Sequence, residues 1–159
     1  MTSNYRSPIF ELGETFISEG AKLSPINATH LGIPGFNDQL DDYSLVGWAK
    51  KRQHVIESLD KLKSMTPRDD VDRIAKAVMK ERLESDLALF NAEEHQITCA
   101  VISSPIVNIR QVFELMPSQT EEEISTITKR LIQVESSSNL GSRLWMIYQS
   151  AARLPLVGK

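Results

Sequence analysis

Thr66-Pro67-Arg68-Asp69-Asp70-Val71-Asp72-Arg73-Ile74-Ala75-Lys76-Ala77-Val78-Met79 opens the stretch whose reading decides the fold. Thr66 is a capping residue. Pro67 suits the first helical position, where its missing N–H would have gone unbonded in any case. Asp69 and Asp70 in the first turn bring negative charge to the positive end of the helix dipole. Apolar residues then recur at helical spacing, as Val71, Ile74, Ala75, Val78, Leu83, Leu87 and Phe90. That pattern predicts an amphipathic helix with those residues inward.

Upstream, Ser44 caps a helix carrying Leu45, Trp48, Ala49, Val55, Ile56, Leu59 and Leu62. Lys63 to Met65 is too brief a link for anything but an antiparallel hairpin. Earlier still, Ile9, Leu12, Phe16, Ile17, Gly20 and Leu23 share one helical face. Ser24-Pro25 ends that helix, because proline excludes the α region from the residue before it. A short helical turn through Ala28 to Leu31 breaks at Gly32 and Pro34-Gly35, and Phe36 to Tyr43 reads as loop.

Downstream, Ile97 to Ile102 is readable either as helix or as a short extended piece. Ser104-Pro105 starts a helix with Ile106, Ile109, Val112, Phe113 and Met116 inward, closed by Pro117. Thr120 and Glu123 stand at capping-box spacing, and Ile124, Ile127, Leu131 and Val134 continue that helix. Ser136 to Asn139 breaks the pattern before a last helix over Leu140 to Ala152. The expectation is an all-α fold: antiparallel hairpins in a bundle of about six or seven helices, with one extended segment near 97–102 as the variant. A single helical domain over 1–159 is expected.

Net charge of −3 supplies no field for gathering phosphates, which argues against nucleic acid as a partner. The one cysteine, Cys99, cannot form an internal disulfide and fits a reducing compartment. Met1 to Leu12 has a single arginine and no apolar stretch, so no signal peptide is read there. The apolar run around Cys99 to Ile102 is far too short to cross a bilayer. The expected setting is therefore cytoplasmic, without a membrane partner.

Little in the chain reads as catalytic. His30, His54 and His95 include no pair at the i, i+4 spacing that sets two imidazoles on one helical face for zinc. His54 reads as a solvated residue beside Lys51 and Arg52, His30 as a local hydrogen-bonding partner, and Glu93-Glu94-His95 as a helix end. Cys99 reads as a small buried thiol. Glu121 to Glu123 complements a helix dipole, and Lys50-Lys51-Arg52 is a solvated basic face. One cluster stands out: Asp38, Asp41 and Asp42 bring three carboxylates within five positions. They suit a hard cation, although the closing glutamate of a calcium loop is missing. The alternative gives Asp42 and its neighbours a capping and loop-folding role. No catalytic, cofactor-binding or metal residue is otherwise assigned.

The order Pro25, Ala28-Thr29, Leu31-Gly32, Gly35, Asp42-Tyr43-Ser44, then Asp70 to Arg73, Met79 and Glu81-Arg82-Leu83 resembles the N-terminal part of a bacterial family. That family is called domain of unknown function 885. Ser104-Pro105, Ile109-Arg110, Val112 to Pro117, Thr120 and Arg130-Leu131 continue the likeness in order, over about Phe16 to Leu131. The resemblance implies kinship with helical zinc peptidases, where two imidazoles and a carboxylate hold Zn²⁺ and a glutamate activates the bound water. The His-Glu-x-x-His helix of such proteins lies beyond the matched region. Zinc is thus expected only in full-length members, and no cofactor in this chain.

The implied function is a non-catalytic N-terminal helical segment, inactive alone, that forms one wall of a substrate channel. The alternative is a stand-alone interaction or dimerisation module meeting a second copy or a partner protein through exposed apolar helix faces. A third reading is an enzyme built on Asp38, Asp41 and Asp42. The likeness decays after Leu131, and Leu154 to Lys159 looks unlike the family, which fits either a truncated or frame-shifted form of a longer protein or a stand-alone remnant with an interaction role.

Overall fold

The computed structural model of this chain describes residues 7–93 and 105–136. Six helices and no strand occur among the described residues: α1 (Pro8–Leu23), α2 (Pro25–His30), α3 (Leu45–Ser64), α4 (Asp70–Asn91), α5 (Pro105–Leu115) and α6 (Glu121–Ser136). The fold is all-α, as the periodicity predicts. The extended variant near 97–102, His95, Cys99 and the helix over 140–152 fall outside the described residues.

Sequence punctuation explains most helix starts. Ser7 accepts from the Phe10 N–H and Pro8 takes the first helical position of α1. Ser44 accepts from the Gly47 N–H at 3.1 Å and starts α3. Thr120 and Glu123 form the reciprocal capping box of α6, Glu123 N–H to Thr120 Oγ1 at 3.2 Å and Thr120 N–H to Glu123 Oε2 at 2.9 Å. The helix over Ala28 to Leu31 starts earlier than expected, at Pro25.

α3 and α4 are the antiparallel hairpin that the short link requires. At one end the Arg52 guanidinium donates to Asn91 Oδ1 at 2.9 Å, and at the other Lys76 Nζ donates to the carbonyls of Lys63 and Met65. α1 lies against both helices, and Ile9, Leu12, Val55, Leu59, Leu62 and Leu83 close the main core. A second cluster joins Ile26 of α2, Tyr43 of the loop, and Ile109 and Val112 of α5, with Val134 of α6 packed on it.

Two expectations about α4 are corrected. The cap is Asp69, not Thr66, so Pro67 stands before the helix. Asp69 Oδ1 accepts from the Asp72 N–H at 2.9 Å, while Asp72 Oδ2 accepts from the Arg68 N–H at 3.0 Å. Two carboxylates that bind backbone N–H groups on either side of the helix start make a stronger signal than a lone threonine. The inward face is also different. Leu83 is buried with Ala75, Met79, Leu87 and Phe90 around it, whereas Val71, Ile74 and Val78 are exposed. The helix carries two apolar rows, and the core takes the one with the larger side chains.

The same correction applies on α3 and α6. Leu45 and Ala49 face solvent while Val55, Leu59 and Leu62 are buried. On α6, Ile124 and Leu131 point outward and Arg130 occupies the innermost position, flanked by Ile127, Gln133 and Val134.

Candidate functional site

The loop between α2 and α3 carries the three aspartates named from sequence, and the structure gives each a different task. Gly32 and Gly35 turn the chain with φ of 70° and 93°, values that a side chain disfavours. Asp41 is buried and accepts three hydrogen bonds. Ser24 Oγ donates at 2.6 Å, the Ile26 N–H at 2.9 Å and Lys51 Nζ at 2.7 Å. It thereby caps α2 from across the loop, a role the local cap Ser24 does not perform with its own side chain. Asp42 accepts from the Ser44 N–H at 2.9 Å, and hydrogen bonding with the Ser44 side chain, together with this backbone bond, holds its carboxyl below the usual range. Asp38 offers its backbone carbonyl to the Gln133 side chain. Among the described residues, no group of three or more His, Cys, Asp or Glu side chains is placed to hold a metal ion.

Lys51 closes the loop from the α3 side. Its ammonium lies 4.8 Å from the Trp48 ring centroid and 5.4 Å from that of Tyr43, so two aromatic faces and one carboxylate surround the charge. Burial, reinforced by Asp41, pushes the Tyr43 hydroxyl well above its ordinary pKa. Arg130 closes the loop from α6. Its guanidinium is completely buried and donates to the carbonyls of Gln39 (2.7 Å), Pro25 (3.2 Å) and Phe36 (3.2 Å) and to Thr29 Oγ1 (2.9 Å). Burial lowers its pKa, an effect opposed by Asp41 and Asp38.

Beside this loop lies a cleft of about 670 Å³. α3 supplies its floor with Trp48, Lys51, His54 and Val55; the second half of α1 with α2 forms one wall, and the end of α4 the other. His54 is not the solvated residue expected from its basic neighbours. Its ring stacks on Phe16 at 4.7 Å, with Nε2 3.0 Å from the Phe16 carbonyl oxygen, so that nitrogen carries the proton. His30 is exposed.

Lys51 is not part of the solvated basic face expected from Lys50-Lys51-Arg52, and sequence reasoning passed over the packing role of Arg130. For Arg130 a signal existed, since it stands between Ile127 and Val134 at helical spacing on an otherwise apolar face. Lys51 sits inside a basic triplet and gave none.

A search of curated proteins returned no match. The family described as bacterial protein of unknown function (DUF885) matches residues 25–139. That span starts after Phe16 and continues past Leu131, so it holds the whole loop, Lys51 and Arg130, and it leaves α1 outside. With most of its length matched in this way, the chain belongs to the DUF885 family.

Proposed function

We propose that this chain is a non-catalytic helical packing segment of a peptidase-like family, whose outward apolar rows are covered by further helices of a larger assembly. The observation that carries the reading is the second row on α4. Val71, Ile74 and Val78 are 54, 57 and 63% exposed and lie at helical spacing, roughly 120–180° around the axis from Leu83. Ile124 and Leu131 on α6 repeat the arrangement. Single exposed aliphatic residues need no explanation, but ordered rows on two helices mark surfaces built to be covered. The peptidase relationship rests on the family likeness, and it assigns metal and water activation to residues that this chain does not supply.

A dye that fluoresces on apolar surfaces tests this directly. The protein should bind it, and replacing Val71, Ile74 and Val78 together by serine should remove most of the signal without lowering the melting temperature. A native chain that ignores the dye, or purified protein that cleaves peptides in a chelator-sensitive manner with one equivalent of zinc, overturns the proposal. The second reading, a stand-alone dimerisation or interaction module, uses the same rows. It predicts a concentration-dependent dimer in sedimentation that the serine changes abolish.

A further inference from the structure

We propose that the cleft between α1, α3 and α4 is a binding site for a small apolar molecule bearing one amine. This inference is independent of the packing role, which uses the other end of α4.

The cleft has the size of a small-ligand site rather than of a helix groove, about 670 Å³. Its depth is apolar: Ala21, Ala28 and Val55 are buried at the bottom, and Ile17, Leu31 and Leu89 stand exposed at the rim. Apolar side chains ordered around an open concavity favour an occupant that removes them from water.

The polar groups of the lining decide the charge of that occupant. Lys51 is neutralised by Asp41 at 2.7 Å, and the proton-bearing nitrogen of His54 is committed to the Phe16 carbonyl. Asp86 is different. It lines the cleft from α4, half-buried, and has neither hydrogen bond nor ion pair among the described residues. Phe90 follows one helical turn later on the same face, also in the lining. A carboxylate beside an aromatic ring is the pairing that receives an ammonium, through a charge-assisted hydrogen bond and the negative face of the ring. The lining thus carries two carboxylate charges against one ammonium when Asp41 is counted with Lys51. An anion would meet net repulsion there.

Phenylbutylamine, phenylbutanol and phenylbutyrate share one apolar body and differ only in the head group, so calorimetric titration into the full chain isolates the charge. The amine should bind about ten-fold more tightly than the alcohol, with the acid weakest. Asp86→Asn should bring the amine to the level of the alcohol, and Leu89→Ser should weaken all binding several-fold. Trp48 fluorescence, read in a Trp145→Phe background, should respond to the amine and place it in the cleft. Asp86 makes no hydrogen bond or ion pair among the described residues and Leu89 is exposed, so both variants are expected to fold, with circular dichroism as the check. The proposal is overturned by absence of binding at millimolar amine, by an acid that binds as well as the amine, or by an Asp86→Asn chain that keeps the amine preference. It is equally overturned if sedimentation shows a dimer that Leu89→Ser dissolves, since the cleft would then hold a second copy.

Discussion

Arg130 donates from its Nε to the backbone carbonyl of Gln39 at 2.7 Å across 91 positions of sequence. Among the described residues no carboxylate bonds to this guanidinium; its partners are the carbonyls of Gln39, Pro25 and Phe36, the Thr29 hydroxyl and the Met116 sulfur. A planar fork of donors is spent on holding the loop through its backbone carbonyls. The arrangement joins α2, the loop and α6 through one residue.

Removing it should therefore cost far more than a surface arginine. Arg130→Ala removes all of these hydrogen bonds together, takes the donor from the Gln39 carbonyl and leaves a cavity between α2, the loop and α6, and is expected to destabilise the fold by about 3 kcal/mol. Arg130→Lys should recover only part of that, because a lysine cannot span carbonyls in several directions from a fixed plane. Urea unfolding of both variants checks the ranking, and a lysine variant as stable as the parent would refute it.

Gly13 and Gly47 both lie in helices, and propensity alone predicts that alanine improves each by up to about 1 kcal/mol. The surroundings separate them. Nothing lies within 4 Å of a Cβ at Gly13, whereas at Gly47 it would collide with the Asp42 carbonyl oxygen and carboxyl carbon. Gly13→Ala should stabilise by several tenths of a kcal/mol, and Gly47→Ala should destabilise by about 2 kcal/mol. Thermal melts that move in the same direction for both would contradict the geometry.

Leu83 and Val78 offer a test of which face of α4 is inward. Leu83 is 1% exposed and sits in the core with Leu59 and Leu62, so Leu83→Ala should cost about 3 kcal/mol. Val78→Ala on the outward row should stay within about 0.5 kcal/mol. Equal losses in denaturant unfolding would show that Val78 is buried in solution.

Acid should weaken two helix starts. Asp42 is held below its usual pKa by Ser44, and Glu123 by the backbone N–H groups of Gln119 and Thr120. A carboxyl with a depressed folded pKa stabilises the fold fully above its unfolded pKa, near about 4, and loses that contribution as pH falls through the folded value. The amides at the start of α6 should lose hydrogen-exchange protection below about pH 4, and Glu123→Gln should show reduced protection already at neutral pH. Protection that rises on acidification would reverse the sign and exclude this account.

Local chemistry was legible wherever neighbours in sequence are also neighbours in space. Ser44, the Thr120 and Glu123 box, Ser24-Pro25 and the α3 to α4 hairpin could all be read directly, because caps, prolines and short links act within a few residues. Asp42 belongs to the same class, with a bond two residues away. Periodicity also located the helices, but it could not choose between two apolar rows on α4, since both satisfy the same spacing. Only packing against α1 and α3 decides that Leu83 goes inward and Val78 outward. The pairing of Asp41 with Lys51, and the distant carbonyls that Arg130 reaches, were equally invisible in one dimension. A buried charge is tolerated only where a fold has already gathered its partners, and those partners come from three separate elements.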